Sequence, residues 1–150
     1  ILKLIGGNAL PREGEICFNR KDFARLSEMP TAFAFFYDDL YRLEDELPEG
    51  NVREDAKRIL AKYREVYAFT DDRDTWFDKI RAIGEELGYA PKPKDYKQNP
   101  DAFPGTVADV STILRQAITG KTNSPDLYTV TRILGYERTC ERVKKVLASL

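Results

Sequence analysis

Ile113-Leu114-Arg115-Gln116-Ala117-Ile118-Thr119-Gly120-Lys121-Thr122-Asn123-Ser124-Pro125-Asp126-Leu127 holds a helix end, a short loop and a new helix start within fifteen residues. Gly120 suits the left-handed position that closes a helix. Ser124 with Pro125 behind it matches N-cap and first-turn preferences, so the next helix is expected to start there. A fresh helix N-terminus offers backbone N–H groups and partial positive charge to an anion. Arg115 lies a little over one turn before the first helix ends and can reach the same corner. A cation, hydroxyl and amide donors, and a helix start that converge on one point suit a nucleotide; an ordinary capped corner is the plainer account.

Outward from this corner the chain reads as helices. Thr106 caps the helix before it, with Val107, Val110, Leu114, Ala117 and Ile118 turned inward. Leu127, Val130, Thr131 and Leu134 form the face of the helix after it, and Gly135 ends it. Tyr136, Cys140, Val143, Leu147 and Leu150 line a last helix, with Lys144 and Lys145 where its dipole favours cations.

Upstream, residues 89–105 are a Pro-punctuated, Lys-rich connection and the best boundary between two subdomains. Before it, Asp71, Asp72 or Asp74 caps a helix carrying Trp76, Ile80, Ile83 and Leu87, closed by Gly88. Asn51, with Glu54 three residues on, starts another, which carries Val52, Ala56, Ile59, Leu60, Tyr63, Val66 and Tyr67. Thr31 caps a helix with Phe33, Phe36, Leu40, Leu43 and Leu47 on one stripe, ended by Pro48-Glu49-Gly50; Phe35, Tyr37 and Tyr41 fall off that stripe and are free to meet a neighbouring domain. A short helix with Phe23, Leu26 and Met29 is stopped by Pro30. Turns around Gly6-Gly7 and Pro11, and an extended segment at residues 15–18, come first. The expected fold is all-α: a cage or bundle of about seven helices in two subdomains, residues 1–90 and 91–150.

Composition narrows the chemistry. The chain has 150 residues, 42% hydrophobic and 33% charged, which is enough apolar material for a core and excludes a disordered chain. No apolar run reaches the ~20 residues that span a bilayer. There is no His, so Ser-His-Asp and Cys-His catalysis and His-ligated zinc are excluded. Cys17 and Cys140 are isolated from each other and read as small hydrophobes. Asp71-Asp72-Arg73-Asp74 lacks the Gly and closing Glu of an EF-hand loop, and Gly6-Gly7 lacks the Lys-Ser/Thr of a P-loop. The other acidic clusters read as solvated faces and caps. The absence of an initiator Met suggests a piece of a longer protein. Net charge is −1, split as −5 over residues 1–90 and +4 over 91–150. The basic part can carry a local phosphate-facing patch.

The run from Ile113 to Gly120, then Ser124-Pro125-Asp126-Leu127, then Ile133-Leu134-Gly135-Tyr136-Glu137-Arg138 with Arg142-Val143, resembles the C-terminal anticodon-binding region of bacterial glutamyl-tRNA synthetases. The family pattern there is roughly proline-leucine-arginine-valine-alanine-leucine-threonine-glycine, a small residue with proline and leucine, then leucine-glycine-lysine-glutamate-arginine. Trp76-Phe77 with Glu85-Glu86-Leu87-Gly88 resembles the helix before that pattern, and residues 96–111 resemble the longer version found in some bacterial members. Gln116 stands where the family has an aliphatic residue, and Tyr136 where it has a lysine. The likeness is specific over residues 75–145.

The resemblance implies a helical cage that holds the anticodon loop of glutamate tRNA. It implies that Arg115 bonds a base edge and that Asn123, Ser124, Pro125 and Leu127 line a base pocket, with Lys121 in the same loop. Lys92, Lys94, Lys97, Lys121, Arg132, Arg138 and Arg142 become candidate phosphate contacts, with solvated surface cations as the plain alternative. The family's ATP-dependent glutamylation, which uses ATP and Mg, belongs to a separate catalytic domain of the same polypeptide. That domain has a His-containing signature and a lysine loop absent from this sequence, so no catalytic residue, metal or cofactor is expected within these residues, and no ligase activity from them alone. A cytoplasmic protein with no membrane or DNA partner follows. A helical protein-interaction module that keeps the fold without binding RNA is the alternative; a stand-alone enzyme would need an acid/base pair that the sequence does not offer.

Overall fold

The computed structural model describes residues 29–44 and 51–150. The expected turns and segments of residues 1–28, Cys17, Leu47 and the Pro48-Glu49-Gly50 ending lie outside those residues. The described elements are α1 (Met29–Ala32), a 3-10 turn (Ala34–Phe36), α2 (Asn51–Val66), α3 (Arg73–Glu86), α4 (Pro93–Gln98), a second 3-10 turn (Pro100–Ala102), α5 (Val107–Thr119), α6 (Leu127–Leu134) and α7 (Tyr136–Ser149). The class is all-α, with seven α-helices and no strand among the described residues. None of these helices is long and apolar enough to cross a membrane.

One core is shared by helices from both sides of residue 90. Ile59, Leu60 and Tyr63 of α2, Trp76 and Ile80 of α3, Leu114 and Ile118 of α5, Val130 of α6 and Val143 of α7 are buried in it. Tyr63 accepts a hydrogen bond from the Trp76 indole (3.0 Å), so both polar tips are satisfied inside an apolar cluster. Asp72 caps α3 by accepting from the Thr75 N–H. Thr106 and Asp109 form a reciprocal capping box at the start of α5. Val66, on the expected α2 stripe, is instead exposed at the helix end.

Two segments depart from the sequence expectation. Residues 31–44 are not one helix. Thr31 lies inside α1, and Pro30 sits in its first turn, where a missing N–H costs nothing. Phe35 and Phe36 are both buried with ring centroids 4.4 Å apart. Both side chains sit in the 3-10 turn rather than in an α-helix. Leu40 and Leu43, expected inside, are 55% and 40% exposed. The chain then runs as a strap across the C-terminal end of α5, and Tyr37 and Tyr41 pack on the chain's own core.

The 89–105 connection is also more ordered than expected. Pro93 opens α4 within it. Its ends are pinned together: Ala90 N–H donates to the Gly105 carbonyl (2.8 Å) and Val107 N–H to the Ala90 carbonyl (3.2 Å). The segment is therefore a closed excursion lying over the start of α5.

Candidate nucleic-acid interface

The loop between α5 and α6 is built from below. Gly120 ends α5 at φ 79°. Thr119 Oγ1 donates to the Arg115 carbonyl (2.8 Å) and accepts from the Lys121 N–H (3.3 Å), which turns the chain out of the helix. Arg115 Nη1 lies 2.9 Å from the Ser124 carbonyl, 2.7 Å from Ser124 Oγ and 2.9 Å from the Pro125 carbonyl. It donates into this cluster and ties the loop's far end to α5. Burial pulls the Arg115 guanidinium below its ordinary pKa, with the Asp126 charge working the other way.

α6 starts later than Ser124. Asp126 is its N-cap and accepts from the Thr129 N–H (2.9 Å) and hydroxyl (2.8 Å). Arg73 of α3 donates to the other Asp126 oxygen at 2.9 Å. Burial opposes ionisation of Asp126, but the Thr129 hydrogen bonds and Arg73 outweigh it and hold the carboxyl below its ordinary value. Pro125 therefore precedes the cap instead of opening the helix. The helix start already holds a carboxylate, so it is not an open anion site. Ser-Pro-Asp presents two N-cap candidates; the Thr three residues after Asp126 is the signal that singles it out.

The remaining candidate residues divide by depth. Asn123 is exposed at the loop tip, and Ser124 and Pro125 are half-buried beside it. Leu127 is 4% exposed and belongs to the core beneath the loop. Lys121 Nζ donates to the Thr31 carbonyl (2.9 Å) and pairs with Glu44 (3.2 Å), binding the strap to the loop.

The candidate phosphate contacts divide similarly. Arg142 is 3% exposed; it donates to the Ile118 carbonyl (2.9 Å) and Asp38 (2.8 Å) and lies over the Tyr41 ring. Arg138 donates to Asp38 and the Phe36 carbonyl. Arg132 stacks on the Phe69 ring, 4.0 Å from its centroid, and donates to the Phe69 carbonyl. Lys92, Lys94 and Lys97 of the excursion are exposed. None of the three enters an ion pair among the described residues. The strap, clamped by Arg138 and Arg142, gave no sequence signal, because its anchors are 76 to 104 positions away in the chain.

A family model described as "Anticodon binding domain" matches residues 106–147. The chain is 43% identical over 128 residues to the glutamate–tRNA ligase of Acetivibrio thermocellus, covering 85% of this chain and 23% of that protein. It is 44% identical over 133 residues to the glutamate–tRNA ligase of Clostridium perfringens strain SM101, covering 86% and 24%. To that of Sorangium cellulosum it is 40% identical over 115 residues, covering 75% and 20%. The chain spans about a quarter of the length of these relatives. No solved structure matches it at a significant level.

Proposed function

We propose that the chain, whose residues 106–147 match an anticodon binding domain model and which is similar to glutamate–tRNA ligases, holds the anticodon loop of glutamate tRNA for ATP-dependent glutamylation carried out elsewhere in the same polypeptide. The observation that carries this reading is the built corner between α5 and α6, which lies wholly inside the matched residues. Arg115 and Leu127 fix it from beneath, and it presents Asn123 outward with half-buried Ser124 and Pro125 beside it. Unstacked loop bases are recognised by edge hydrogen bonds and packing of this kind, with cations on the phosphates. Residues 91–150 would meet the RNA, and residues 1–90 would connect to the catalytic domain, where ATP and Mg are used. In this reading the enzyme works in the cytoplasm.

The test is a titration of the full-length protein with an anticodon stem-loop of glutamate tRNA, at two salt concentrations, against a scrambled loop. Preference for the cognate loop that weakens with salt is expected, because neutralised phosphates release counterions. Equal failure to bind either loop rejects the reading and leaves a helical protein-interaction module.

A further inference from the structure

Lys121 sits in the loop between α5 and α6, yet its ammonium is turned back onto the protein. Its side chain is 17% exposed. Nζ donates to the Thr31 carbonyl of α1 (2.9 Å), 90 positions upstream, and pairs with Glu44 at the end of the strap (3.2 Å). One cation therefore ties α1, the strap and the loop together. To reach a phosphate it would first have to release both partners.

The strap is a fixed base for that tie. The Tyr41 hydroxyl donates to the Ala117 carbonyl (2.7 Å), and Arg138 and Arg142 both donate to Asp38. The Glu44 N–H donates to the Gly120 carbonyl (2.9 Å), so backbone and side-chain contacts meet where the loop leaves α5. At the loop's other end Arg115 holds Ser124 and Pro125. The loop is thus anchored at both ends, and exposed Asn123 is carried between the anchors. Hydrogen bonds to a base edge weaken steeply with misalignment, so anchors that fix a reading loop before it binds improve discrimination.

We infer that Lys121 and Glu44 are positioning residues for anticodon discrimination: their pair holds the near end of the loop against the strap, and neither touches the RNA. The inference rests on the proposed tRNA reading for the ligand. Glu44 is 45% exposed, and an ion pair of that kind adds little to global stability. Its effect is expected in the placement of the loop and not in the unfolding midpoint.

The test titrates the full-length protein with cognate and scrambled anticodon stem-loops over a series of salt concentrations. The variants are Lys121→Met, which keeps the apolar stem, Glu44→Ala, and the two combined. Each single variant is expected to lower the ratio of cognate to scrambled affinity about three- to tenfold, the scale for residues that act without touching the ligand. The double variant should lose no more than the larger single loss, because both changes break one contact. Lys121→Met should keep the wild-type salt dependence. A phosphate contact gives the opposite pattern: Lys121→Met weakens both loops alike and lowers the salt slope by about one, while Glu44→Ala frees the ammonium and strengthens both. That pattern, or a wild-type ratio in both single variants, overturns the inference and leaves the tRNA reading standing. A wild-type protein with no preference for the cognate loop removes the reading and the inference with it. If Lys121→Met loses its helical circular dichroism, Glu44→Ala decides alone.

Discussion

The carbonyl oxygen of Arg42 occupies the space that a Cβ on Gly120 would need, 1.8 Å from its ideal position. The strap and the end of α5 are therefore in backbone contact, and the Glu44 N–H donates to the Gly120 carbonyl (2.9 Å) across the same seam. Two demands fall on one glycine: a positive φ and the absence of a side chain. Gly120→Ala must meet both costs, since the opposing atom is backbone and cannot swing aside. A loss on the order of 3 kcal/mol is expected in denaturant unfolding. Gly88 has a similar φ, but its Cβ would meet nothing within 4 Å. Gly88→Ala should cost only about 1 kcal/mol, and equal losses at the two sites would refute the seam.

Asp126 is both the cap of α6 and the partner of Arg73. Its replacement by Ala should cost about 1–2 kcal/mol, mostly through the cap, because Arg73 is exposed and an exposed pair is worth little. Ser124→Ala leaves the α6 cap intact and should cost less. A larger loss at Ser124 than at Asp126 would show that α6 starts at the serine after all.

The difference between these two residues shows what the sequence could tell. Helices with a continuous apolar stripe and a clean ending, such as α3 and α5, are legible because local spacing and burial agree. The stripe Phe33, Phe36, Leu40, Leu43 has equally good spacing, yet no helix forms there. Tyr41 donates to the Ala117 carbonyl, and Arg138 and Arg142 gather on Asp38, all from distant parts of the chain. Those tertiary bonds outweigh local propensity, which is weak by comparison. The corner's position was legible from Gly120 and Ser-Pro-Asp. The inward turn of Arg115 was not, because a cation near a loop looks the same in sequence whether it faces a ligand or its own backbone.

Asp38 gives the strap a dependence on pH. Partial burial pushes its carboxyl up, but hydrogen bonds and charge from Arg138 and Arg142 outweigh this, and the pKa falls below its ordinary value. A depressed folded-state pKa contributes stability that is complete above the unfolded value of about 4 and is lost as pH falls through the folded one. Stability of the wild-type protein should therefore fall as the pH drops below about 4, and Asp38→Asn should flatten part of that slope. At neutral pH the same substitution should cost about 1 kcal/mol or less, because Asp38 is more than half exposed and water screens the pair, while buried Arg142 keeps Ile118 and Tyr41. An unchanged acid slope in Asp38→Asn would assign the pH dependence to other carboxylates.

Arg115 links the corner's stability to its proposed function. Its Nη1 is committed to Ser124 and Pro125, so its effect on RNA passes through the position of Asn123, Ser124 and Pro125. Arg115→Ala removes a donor from half-buried carbonyls and should destabilise the protein by about 2 kcal/mol. It should also lower discrimination between cognate and scrambled loops, because Asn123, Ser124 and Pro125 lose the anchor that holds them in register. Arg115→Lys keeps the charge but offers a point donor in place of the planar fork. If the arginine only supplies charge, lysine restores both the loop preference and its salt dependence. If it holds the corner, lysine restores the salt dependence while discrimination stays low, because overall phosphate attraction does not need Ser124 and Pro125 in register. Full discrimination in Arg115→Ala, with the fold intact by circular dichroism, would remove the corner from anticodon reading altogether.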